Sequence, residues 1–147
     1  MKEFKGRVVT LGTCTAKAVV SRQGFNTLAS LQKALQFGDK KATCNDQNNT
    51  DIYGEELCGN ALVLPQTIGS TTGGMVLYCA CAMKRQPACM LFTNHIDSLA
   101  AAGAILADVW LDDITMPVID CLGDEFLNYV KTGMQITIKE DGVVVVE

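Results

Sequence analysis

Between residues 60 and 131, three short runs with apolar centres alternate with segments of helical pattern. The runs are Asn60–Pro65 (NALVLP), Ala88–Thr93 (ACMLFT) and Met116–Asp120 (MPVID). A strand that is apolar on both faces needs cover on both, so this alternation calls for a parallel sheet with helices packed against it. The intervening segments supply the helices. Thr71–Met83 is apolar, Ile96–Leu106 is alanine-rich, and Gly123–Lys131 follows the third run, with Gly133 as its natural C-cap.

The flanks read differently. Lys5–Leu11 and Thr15–Ser21 are short and β-branched, and a Gly-Thr-Cys connection joins them as an antiparallel pair. Met134–Lys139 and Val143–Glu147 flank Asp141-Gly142, a signal for a two-residue hairpin. Phe25–Phe37 places apolar residues at 25, 28, 31, 34 and 35, a helix face that Gly38 would end. Thr43–Glu56, rich in Asn and Asp, is a loop. The fold class expected is mixed α/β, one domain over residues 1–147, with no linker, repeat or low-complexity segment.

Composition removes several function classes. Sixteen acidic against twelve basic residues give a net charge of −4 with no basic run, unlike a nucleic-acid-binding surface. The longest apolar runs, Leu99–Ala107 and Val143–Val146, fall short of the roughly 20 residues that span a bilayer. The N-terminal MKEFKGRVV lacks the pattern of a secretory signal, so a cytoplasmic location is expected. The seven cysteines, at 14, 44, 58, 79, 81, 89 and 121, form no CxxC pair and are odd in number. They read as free, mostly buried thiols in a reducing compartment. Cys79 and Cys81 lie two apart on a helix and point in different directions. With a lone histidine, His95, no zinc site of ordinary spacing is present, and no metal ligand is assigned to this chain.

The segment suited to chemistry is Pro65-Gln-Thr-Ile-Gly69-Ser70-Thr71-Thr72-Gly73-Gly74, between an apolar strand and a helix. Backbone N–H groups at a helix N-terminus favour a carboxylate, a phosphate or an oxyanion. Gly69, Gly73 and Gly74 would let ligand atoms approach the backbone. The plainer reading is that Ser70 or Thr71 caps the helix. The loop is not a Walker loop, because Met75 stands where the lysine would be, and Ser70 lacks the frame of a nucleophile elbow.

Leu64-Pro65 followed three residues later by Gly69-Ser70-Thr71-Thr72-Gly73 resembles the G-S-S/T-T-G signature of the aconitase X swivel domain, the small subunit in two-subunit members. Further likenesses are the N-terminal strand pair with Lys17, a polar loop closing on Gly59, the apolar strand after Pro87, and Gly103-Ala-Ile leading towards Met116-Pro-Val. The resemblance implies a swivelling β/β/α domain. It also implies a dehydratase of cis-3-hydroxy-L-proline or of mevalonate 5-phosphate, with an iron centre or iron–sulfur cluster held by a large subunit. The chain departs from the family at Arg22-Gln-Gly-Phe-Asn-Thr-Leu, where many members carry a proline and a Ser-Phe-Trp-Gly-Gly run. It departs again at Cys44-Asn-Asp-Gln-Asn-Asn-Thr, in place of an Asp-Pro-x-Thr-Gly stretch. These departures favour the amino-acid-type substrate over the phosphate.

Dehydrating a 3-hydroxy acid needs a Lewis acid on the leaving hydroxyl and a base for the proton beside the carboxylate. By resemblance to the aconitase-type serine, Ser70 is the candidate base. Gly69, Thr71, Thr72 and Gly73 are the candidates to hold the carboxylate. No cysteine triplet at cluster spacing occurs, so the iron ligands are expected from the large subunit and the chain alone is expected to be inactive. His95 is read as a surface or capping residue before a catalytic one, Asp112-Asp113 as a solvated loop, and Lys17 as facing water. Cys44, Asn45, Asp46 and Asn48 either line the cleft with the partner or form a polar turn. Two rivals stand beside the dehydratase. A phosphohistidine-type swivel domain would need a histidine directly after the loop, where His95 comes about twenty residues too late. A non-catalytic interaction module would need no partner iron.

Overall fold

The computed structural model describes residues 1–147. Its main sheet has eight strands. They are β1 (Lys2–Phe4), β2 (Arg7–Thr10), β3 (Cys14–Val20), β5 (Ala61–Leu64), β7 (Cys89–Phe92), β8 (Val118–Asp120), β9 (Gln135–Ile138) and β10 (Val144–Val146). β4 (Phe25–Asn26) and β6 (Thr67–Ile68) form a separate two-stranded parallel ladder. The helices are α1 (Thr27–Gln36), α2 (Gly73–Ala82), α3 (Ser98–Trp110) and α4 (Asp124–Tyr129).

The sheet order is β1-β10-β9-β3-β5-β7-β8-β2. The centre, β3-β5-β7-β8, is parallel, with Ala18 opposite Ala61 and Ala61 opposite Cys89. Antiparallel strands flank it on both sides. The expected mixed α/β class and the parallel centre are both present.

The N-terminal strands correct the sequence reading. β2 and β3 do not pair with each other: β2 lies antiparallel on β8, and β3 sits between β9 and β5. The four residue steps from Thr10 to Cys14 reach at most about 14 Å. Four strand spacings separate β2 from β3 in the order, about 19 Å in a flat sheet. The sheet must therefore curl until its β2 edge swings back towards β3. That curl divides the interior into two cores. Ala61 and Val63 pack inside the curl with Ala18, Leu91, Phe126 and Ile136, while Leu62 and Leu64 face outward onto α1, α2 and α3. All four residues of β5 and of β7 are buried, as the apolar runs required. Each such large side chain contributes roughly 1.5–3 kcal/mol by leaving water.

Local differences have identifiable causes. Gly133 is not a helix cap: α4 ends at Tyr129 with Val130 as its C-cap, and Gly133 turns the chain into β9 with its N–H on the Ala18 carbonyl. The hairpin loop has three residues rather than two, since the Lys139 N–H bonds the Val143 carbonyl across Glu140-Asp141-Gly142. α3 begins later than expected and runs on to Trp110, because Asp97 caps it and nothing breaks the helix before Leu111. Phe25-Asn26 is strand, and α1 starts only at Thr27. All seven cysteines are free: Cys44, Cys81 and Cys89 are buried, Cys79 is exposed and the other three are half-buried. No helix is long and apolar enough to cross a membrane.

Candidate functional site

β6 places the glycine- and hydroxyl-rich loop. Thr67–Ile68 pairs in parallel with Phe25–Asn26, which ties the loop to the start of α1. The Asn26 Oδ1 caps α1 by accepting the Ala29 N–H at 3.0 Å. Gly69 packs on that same amide: its φ is +97°, and a Cβ there would lie 2.5 Å from Asn26 Nδ2. Only glycine fits.

Beyond Gly69 the loop folds on itself. Ser70 Oγ accepts the Thr72 N–H at 3.1 Å and lies 2.7 Å from Thr72 Oγ1. The Gly73 N–H donates to the Ser70 carbonyl at 3.0 Å. Neither Ser70 nor Thr71 caps α2, which corrects the plainer reading. Thr72 occupies that position, and its side chain makes no capping bond. The first-turn amides of Gly74 and Met75 have no acceptor within the chain.

α3 closes the third side. Asp97 Oδ2 accepts the N–H groups of Leu99 and Ala100, each at 3.0 Å, and Oδ1 accepts the Thr67 hydroxyl. The first turns of α1, α2 and α3 thus border one cleft of about 220 Å³. Thr27, Thr67, Ser70, Gly73 and Asp97 form its polar lining, and no Lys, Arg, His or Cys joins them. Three helix N-termini face the same space; the positive end of α3 is offset by its Asp97 cap, which leaves those of α1 and α2, each equivalent to roughly half a charge.

Gly69, Ser70 and Gly73 therefore line the cleft, and Thr72 holds Ser70. Thr71 lies on the far side of the loop, in a groove with Met75, Tyr78 and Trp110. Gly74 also borders the cleft, and the room left by its missing Cβ is taken up by α3. A Cβ on Gly74 would sit 2.1 Å from the Leu99 carbonyl oxygen, and one on Gly103 would sit 2.1 Å from that of Gly74. Thr27, Thr67 and Asp97 were missed by the sequence reading. Asp97 directly before Ser98-Leu99 is a recognisable cap signal, but nothing local marks Thr27.

A second polar group lies on the same sheet edge, at the end of β8. Asp120 is fully buried. Arg7 holds both its oxygens, Nε to Oδ1 at 2.9 Å and Nη2 to Oδ2 at 2.6 Å, and the Ile96 N–H adds 2.9 Å to Oδ2. Burial acts to raise the carboxyl pKa, but the Arg7 and Ile96 hydrogen bonds outweigh it and hold the group below its usual range. Burial, with help from Asp120, pushes the neighbouring Cys121 thiol up. The ligand atoms of exposed His95, Asp120 and Cys121 lie within 4.8 Å of one another, but the carboxylate is already committed to Arg7 and the Ile96 amide.

The iron implied by the resemblance does not fit the cleft lining, which has no thiol or imidazole and whose carboxylate is engaged by Thr67 and α3. The Cys44–Asn49 segment is a polar turn, and none of its residues lines the cleft. Cys44 is buried, Asp46 accepts the Asn48 N–H, and Asn49 donates to Ser21. Asp112, Asp113 and Lys17 are exposed, with Asp113 3.9 Å from Lys84.

The profile of the aconitase X swivel domain matches residues 3–146. The chain belongs to that family. Among relatives of this swivel domain is the phosphomevalonate dehydratase small subunit of Thermococcus kodakarensis, 25% identical over 95% of this chain and 91% of its own. The protein of the same name from Methanocaldococcus jannaschii is 29% identical, covering 92% and 90%. The crystal structure of Thermococcus kodakaraensis aconitase X in its holo-form superposes with a TM-score of 0.80 at 26% identity, covering 100% of this chain and 99% of that one. A solution NMR structure of a UPF0107 protein shares the swivel-domain fold, with a TM-score of 0.78 at 24% identity over 99% of each chain.

Proposed function

We propose that this chain is the small subunit of an aconitase X-type dehydratase acting on mevalonate 5-phosphate, with Ser70 as its base. One observation carries the reading: Ser70 Oγ, exposed at a cleft bordered by three helix N-termini, accepts the Thr72 N–H and sits 2.7 Å from the Thr72 hydroxyl. Donors aimed at an oxygen favour its anion, so this hydroxyl gives up its proton more readily than a serine in water.

In the elimination the proton leaves the carbon beside the carboxylate, its electron pair forms the double bond, and hydroxide departs from the next carbon. Ser70 Oγ, as its alkoxide, takes that proton and passes it to the departing hydroxide, which leaves as water and restores the alkoxide. Gly69 and Gly73 border the place of the substrate carboxylate, with the acceptor-free amides of α2's first turn beside it, while Thr72 holds Ser70 and Thr71, on the far side of the loop, takes no part. The names of the relatives support the phosphorylated substrate, which the sequence reading had placed second to cis-3-hydroxy-L-proline. The cleft lining lacks a basic side chain, so the phosphate and the iron are both assigned to the large subunit.

Co-expression with the large subunit, followed by anaerobic assay of both substrates by NMR of the product alkene, tests this. Water loss from mevalonate 5-phosphate is expected. Turnover of cis-3-hydroxy-L-proline alone would overturn the substrate, and turnover of neither by the assembled complex would overturn the dehydratase reading.

A further inference from the structure

The outer surface of α2 and α3 is unlike the rest of the molecule. Across the two helices the sequence GGMVLYCACA and SLAAAGAILADVW carries a single charge, Asp108. The inner stripe of α3, Ala100, Gly103, Ala104 and Ala107, is buried against the core. The opposite stripe should be polar on a helix that ends in water. Instead Ile105 and Val109 stand there, exposed by 42% and 66%, and the flank facing α2 adds Leu99, Leu106 and Trp110, exposed by 45%, 37% and 64%. α2 adds Met75, exposed by 68%, and Met83 follows at 41%. Between the helices runs an apolar groove of about 340 Å³, floored by the Gly74–Gly103 crossing and walled by Met75, Tyr78 and Trp110.

Seven large apolar side chains exposed on two packed helices, with Asp108 the only charge in either helix, differ from the singly scattered exposed apolar residues of an ordinary surface. The position of this patch says what covers it. The groove and the Ser70 cleft share Gly74 and Leu99, so they are two ends of one surface. On the reading above, the reacting centre is completed by a large subunit at the cleft, and whatever reaches the cleft mouth also reaches the groove.

The geometry points to the α2–α3 face as the docking surface for the large subunit, seated through an apolar, uncharged patch with Trp110 and Met75 as its anchors. This rests on the proposed function for the identity of the partner, though not for the existence of the patch. Trp110 stacks edge-on with Tyr78, with centroids 6.1 Å apart, so it is held in place before the partner arrives.

The test is co-purification and titration of the large subunit with the wild-type chain, Val109→Glu and Met75→Glu. Both positions are open to water, and thermal melting establishes that each variant folds. Each charge is expected to weaken association at least 100-fold, while Ser70→Ala associates as wild type and loses turnover alone. Wild-type association by both glutamate variants would overturn the assignment. So would an isolated wild-type chain that dimerises in sedimentation and becomes monomeric on Val109→Glu, since a second copy would then cover the face. A complex that needs this face yet dehydrates neither substrate would sink the proposed reaction and leave the docking surface standing.

Discussion

The Ser70 loop and the Asp120 corner follow strands that flank the same neighbour, β7, yet they are opposites. Asp120 is fully buried, and each of its oxygens has a charged or amide donor. Ser70 is exposed, its oxygen meets only its own loop, and two nearby amides have no partner. The corner has spent its hydrogen-bonding capacity on the fold. The loop has kept capacity in reserve, and reserve capacity at a helix N-terminus is what a substrate can use. A cluster of chemically attractive residue types, here His, Asp and Cys, is therefore a poorer guide to function than unspent donors.

Substitution should separate the two regions. Ser70→Ala is expected to cost ~10²–10⁴ in turnover of the assembled enzyme. Because Ser70 does not cap α2, its effect on stability should stay below the ~1 kcal/mol of a lost cap. Retention of a third of the activity would remove the loop from the chemistry. Asp120→Ala should do the reverse, lowering stability to urea by about 2–3 kcal/mol through an unpaired Ile96 N–H and a freed Arg7.

The same comparison has a pH form. A carboxyl held below its usual range in the fold stabilises the protein fully above about pH 4, and that contribution is lost as pH falls through the folded value. Acid unfolding of the wild type should therefore be steeper than that of Asp120→Asn. Equal slopes would mean that the Arg7 pair contributes nothing.

Within the loop, adjacent glycines divide along the same line. Gly74→Ala should lower stability by about 1–3 kcal/mol, because its Cβ meets the Leu99 carbonyl. At Gly73 a Cβ would stand 3.6 Å from Thr27, so Gly73→Ala should melt as wild type. Equal melting of the two would show that the helices can move apart.

The smallest effects concern the thiols. Native protein should release Cys79 to a thiol reagent first. Cys81, pushed up to about 12 by burial, should react only on unfolding, with all seven titrating in denaturant.

The parallel centre was legible in the sequence because strands buried on both faces have no alternative to being apolar. NALVLP and ACMLFT carry that requirement in their own residues. The place of β2 was not legible. Its partner, β8, lies more than a hundred residues away, and Gly12-Thr13 looks like any hairpin turn. Gly69 and Ser70 stood out as a pattern, whereas Thr27, buried at the start of α1, enters the cleft only because β4 pairs with β6. Two-residue strands leave no periodicity to read. The helix-packing role of Gly74 was not legible, because a glycine beside a ligand and a glycine beside a helix look alike until the second helix is placed.

The contact between Gly74 and Gly103 has a thermodynamic consequence for the loop it borders. Backbone meets backbone there, with no rotamer to adjust, so the first turn of α2 is fixed by α3 before any ligand arrives. Ser70 and Thr72, immediately upstream, inherit that constraint. The entropy of arranging them is lost on folding instead of on substrate binding. On the proposed reading, closing the site against the large subunit would then fall to rigid-body movement of the whole chain rather than to a mobile loop.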